Sequence, residues 1–65
     1  MIPTVCTPIS NEITSLNVER HDLQQQLQSA STSEKPQLAA EIKQLNTQIA
    51  AKTKALARCT KQHGP

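Results

Sequence analysis

A chain of sixty-five residues with a net charge of +2 makes at most one small domain, near the lower size limit for a self-supporting core. Phe, Tyr and Trp are absent and glycine occurs once, at Gly64, which excludes an interior filled by aromatic side chains and a glycine-rich phosphate loop. The cations Arg20, Lys35, Lys43, Lys52, Lys54, Arg58 and Lys61 are dispersed and have no aromatic neighbours, so no nucleic-acid partner is expected.

The first six residues, Met1 to Cys6, lack the charged head and apolar core of a signal peptide. Either targeting information has been removed or the chain is a piece of a larger one. Thr7 followed by Pro8 reads as a helix start, with Thr7 as N-cap and Pro8 at the first helical position. The apolar residues that follow are Ile9, Ile13, Leu16, Leu23, Leu27 and Ala30. Their steps alternate four and three, with Arg20 in the one missing slot. That is the a/d seam of a coiled coil, narrower than the apolar stripe of a globular helix. It predicts a helix over about residues 8–30.

Ser29 to Glu34 is rich in small hydroxyl residues, which compete with the helical backbone and favour turns and caps. The turn is placed at about 31–34. Pro36 belongs in the first turn of a new helix, with Ser33 or Lys35 as its cap. The second helix, about 35–61, repeats the pattern through Leu38, Ile42, Leu45, Ile49 and Leu56, with Lys52 in a seam slot. Arg58, Lys61 and His63 before Gly64 and Pro65 form a stop signal and complement the helix dipole.

In an antiparallel hairpin the numbers of facing residues share a constant sum, here 65 if the turn centres between Thr32 and Ser33. The layers become Leu27 with Leu38, Leu23 with Ile42, Arg20 with Leu45, Leu16 with Ile49, Ile13 with Lys52 and Ile9 with Leu56. The last layer is Cys6 with Cys59, the only two cysteines. A slip of one heptad would separate them, so the crosslink and the turn specify one register. The fold class expected over 1–65 is therefore all-α: a two-helix antiparallel coiled-coil hairpin with a terminal disulfide. The disulfide implies an oxidising compartment, secreted, extracellular or periplasmic.

The two polar seam residues, Arg20 and Lys52, read as long side chains whose stems cover the seam while their charges reach water. Lys52 lies near Glu12, and Arg20 can reach toward Gln48 or Glu41. On one flank Glu12 faces Ala55, Glu19 faces Gln48 and Gln26 faces Glu41. On the other, Ser10 faces Thr53, Asn17 faces Asn46 and Gln24 faces Ala39. Neither flank carries an apolar stripe that requires a third helix, so a monomer is favoured. The alanines of the second helix leave a low-relief surface that would allow a dimeric four-helix bundle.

No catalytic set can be assembled, and none of His21, His63, Cys6 or Cys59 completes a metal site. No enzyme, cofactor, metal or membrane span is expected; no run approaches the ~20 apolar residues of a span. The pattern from Cys6 through Glu34-Lys35-Pro36 to Cys59 resembles short cysteine-ended helical hairpins, which occur as modules of larger, often extracellular proteins. The resemblance implies a rigid spacer or partner-binding scaffold joined to another domain or protein. A small secreted effector (protease inhibitor, toxin or antimicrobial type) and a bundle-forming oligomerisation domain are the alternatives. The chain departs from the plant hairpins that inhibit proteases, which use paired Cys-x-x-x-Cys motifs.

Overall fold

The computed structural model describes residues 2–63. A short 3₁₀ turn over Thr4–Cys6 leads into helix α1, Thr7–Ser29, which is followed by helix α2, Lys35–His63. The helices pack against each other as an antiparallel pair, a rod of 50 × 14 × 12 Å. No strand occurs among the described residues.

The start of α1 differs from the sequence reading. Thr7 is the first helical residue and Cys6 occupies the cap position without a side-chain cap bond. The chain is already winding: the Cys6 N–H donates to the Pro3 carbonyl at 2.9 Å, and the Thr7 N–H donates to Thr4. The 3₁₀ turn thus pairs the N–H groups of Cys6 and Thr7 with main-chain carbonyls before α1 begins. Pro8 follows in the first turn, where its missing N–H costs nothing. Thr7→Ala should accordingly change stability by less than about 0.5 kcal/mol rather than the ~1 kcal/mol of a lost cap. Urea denaturation measures it, and a loss near 1 kcal/mol would restore Thr7 as the cap.

The turn reverses the chain without a left-handed residue. Ala30 breaks α1 by going extended, and its N–H still reaches the Leu27 carbonyl. The Ser31 carbonyl then accepts from the N–H groups of both Glu34 and Lys35, at 3.0 and 3.1 Å. Neither Ser33 nor Lys35 caps α2. Glu34 precedes the helix, its carbonyl accepting from the Leu38 N–H. Its carboxylate accepts from the Ser31 hydroxyl at 2.8 Å, and negative charge there favours the helix N-terminus. Ser31 and Glu34 have the Ser-x-x-Glu spacing of a capping box, but they bond side chain to side chain ahead of the helix, without its reciprocal side-chain-to-backbone bonds.

The seam is where the heptads place it. Ile9, Ile13, Leu16, Leu23, Leu27, Leu38, Ile42, Ile49 and Leu56 are half-buried, as are Arg20 and Lys52. Leu45 is 8% exposed and Cys6 is fully buried; no other described residue reaches that degree of burial. A two-helix rod covers each seam residue from one direction only, so its layers stay open along their edges. Val18, 57% exposed on the outside of α1, needs no partner.

Candidate functional site

Three cross-helix contacts verify the register. Cys6 and Cys59 are disulfide-bonded with their Cα atoms 5.9 Å apart. Lys52 pairs with Glu12, and Arg20 bonds to Asn46. Each pair of numbers falls within one of the expected constant. The clasp closes the open end of the hairpin across 53 positions of sequence.

The flanks differ in kind. On one, the Arg20 guanidinium bridges the helices. One nitrogen donates to Asn46 Oδ1 and the other to Asn17 Oδ1, both at 2.8 Å. The sequence reading aimed Arg20 at Gln48 or Glu41; the structure turns it to the opposite side. The reason is stereochemical: two amide oxygens, one on each helix, present a fork-shaped donor with an acceptor for each prong. This flank carries Ser10, Asn17, Gln24, Ala39, Asn46 and Thr53 and has no acidic residue. Thr53 ties its hydroxyl to the Ile49 carbonyl one turn back, leaving only its methyl group to pack.

The other flank is an open groove. Near the clasp it is about 410 Å³, bounded by Asn11, Glu12, Ser15, Leu16, Gln48 and Lys52. Gln48 also borders its continuation toward the turn, about 310 Å³, where Leu23 and Leu45 meet Glu19, Glu41 and Gln44. Leu16, Leu23 and Leu45 therefore form an apolar floor between polar walls. The groove lies on the surface between the helices. Lys52 stands beside it with Glu12, the one ion pair among the described residues.

That pair contributes little. The side chains are 43% and 51% exposed, so solvent screens the attraction to roughly 0–1 kcal/mol. Lys52→Ala should cost no more than about 1 kcal/mol by urea denaturation, and added salt should shrink the difference. A loss of several kcal/mol would make the pair structural. His21, which shares a hydrogen bond with Gln25 at 3.1 Å, is exposed. No group of three or more His, Cys, Asp or Glu among the described residues could hold a metal ion. No helix among them is long and apolar enough to cross a membrane.

The molecule is thus a disulfide-clasped antiparallel helical hairpin with one flank bridged by Arg20 and a grooved flank crossed by the Lys52–Glu12 pair. Comparison with protein-family models, curated proteins and solved structures finds no match for this chain.

Proposed function

We propose that the protein is a rigid structural module, a clasped rod that spaces attached domains or presents a helical flank to a partner. The observation that carries this reading is the combination of a 50 Å axis with a covalent clasp at one end. The clasp fixes Cys6 and Cys59 at 5.9 Å, a spacing compatible with mounting the rod on a single loop of a larger protein. Each terminus would then leave from the same end. The disulfide suits an oxidising compartment such as the extracellular space or the periplasm.

The reading assigns no catalytic residue and no cofactor. Its chemistry is that of a surface: half-covered leucines and a bordering set of carboxylates. Spin labels placed at Thr4 and Ser33 test it by pulsed dipolar spectroscopy. A spacer should give one narrow distance distribution, somewhat shorter than the 50 Å axis and unchanged by temperature below the melting transition. A broad distribution would reject a rigid spacer.

A further inference from the structure

We infer that the open flank is a docking groove for a cationic amphipathic helix, which would complete a local three-helix coil. The inference deepens the scaffold reading and rests on it. Leu16, Leu23 and Leu45 line the floor, and Leu16 and Leu23 remain half-buried. A third helix would bury them from the side that the hairpin leaves open, adding knobs-into-holes contacts along the same seam.

Charge decides the sign of the partner. Glu12, Glu19 and Glu41 all border this groove. Its one cation, Lys52, is already paired with Glu12, so Glu19 and Glu41 are left without an ion-pair partner among the described residues. Their spacing adds a period. Glu12 and Glu19 lie one heptad apart, about 10.5 Å along the helix. Glu41 lies opposite Gln26, one further heptad along. The groove thus offers two unpaired carboxylates one heptad apart along the axis, Glu19 on α1 and Glu41 on α2, beside Leu16 and Leu23 at heptad spacing. A complementary helix carries Leu or Ile at a and d, with Lys or Arg recurring every seventh residue on the flanking positions. The Arg20 flank offers no such fit, because it has no carboxylate and the guanidinium spans it.

The probe is a fluorescein-labelled synthetic helix of about three heptads, with leucine at a and d and lysine at e and g. A matched peptide replaces every lysine with glutamate. Anisotropy should show the lysine peptide binding the oxidised protein, weakening with added salt, and the glutamate peptide not binding. Reversing both free carboxylates, Glu19→Lys with Glu41→Lys, should raise Kd for the lysine peptide at least about tenfold, which is about 1.4 kcal/mol. The same variant should gain affinity for the glutamate peptide. Lys43→Glu, outside the groove, should change neither. Methyl NMR shifts should concentrate at Leu16, Leu23 and Leu45, with circular dichroism checking that each variant stays helical.

Equal binding of both peptides, or shifts centred on Asn17 and Asn46, would overturn the groove. So would no binding at high micromolar peptide, or a mass by light scattering showing that a second copy fills the flank. In any of these cases a narrow spin-label distribution would leave the spacer reading standing. A broad one would remove that reading instead, whatever the peptides do.

Discussion

Cys59→Ser should lower the stability of the hairpin by roughly 4 kcal/mol, the chain-entropy value for a crosslink closing a loop of this length. At 0.05–0.15 kcal/mol per residue, a domain this size has only about 3–10 kcal/mol in total. The clasp therefore accounts for a large share of what holds the two helices together. In a domain of this size the change corresponds to a fall in melting temperature of about 20 °C or more. Some helix should survive, because α1 and α2 have 23 and 29 residues and exceed the length at which isolated helices begin to persist. The measurement is a far-UV circular dichroism melt of the wild type, oxidised and reduced, beside Cys59→Ser. Reduced wild type and the variant should agree. A melting point within a few degrees of the oxidised protein would show that the seam alone closes the hairpin.

The second large effect belongs to Leu45. Leu45→Ala should cost about 2–3 kcal/mol, the lower part of the range for buried leucine truncation. The helices can draw together, and water can enter the groove that Leu45 borders, so the cavity is partly relieved. Leu56→Ala, at a half-buried site, should cost about half as much, because truncation there removes less covered apolar area. Urea denaturation of both variants provides the comparison. Equal losses would mean that seam layers contribute alike whatever their exposure.

The burial of Leu45 has a cause that reverses an intuition about the sequence. Its layer partner is Arg20, which interrupts the run of apolar residues. An interruption suggests the weakest layer, yet Leu45 is the best-covered leucine. Asn17 and Asn46 hold the guanidinium to one side, and Arg20 itself is half-buried, an arrangement in which a long side chain can cover apolar surface while its charge reaches polar partners. Lys52, the other polar seam residue, turns to the opposite flank and pairs with Glu12. Arg20 is an a residue, next to the flank of Asn17 and Asn46, and Lys52 is a d residue, next to the flank of Glu12, so the two long cations leave by opposite sides.

Much of this was legible in the residues. Alternating steps of four and three identified both helices, and their ends agree with the structure to within two residues. The two cysteines and the turn chose the register, which the three cross-helix contacts reproduce. The starts of the helices were less legible. Threonine before proline is a cap signal, but disulfide-anchored Cys6 sits in a 3₁₀ turn that carries the winding of the chain into α1, so Thr7 is already helical. Ser31 and Glu34 organise the entry to α2, while Ser33 and Lys35 had looked equally suitable.

By itself, then, the sequence determined the disulfide-clasped hairpin that the heptads, Ser-rich turn and cysteine pair had predicted. Those signals are periodic or local, and a period together with a crosslink is enough to align two helices. Only the tertiary structure decided that the acidic flank opens as a groove while the Arg20 guanidinium ties the other. The tie depends on which acceptors the guanidinium takes, and long flexible side chains choose among acceptors only when both helices have brought those acceptors into reach.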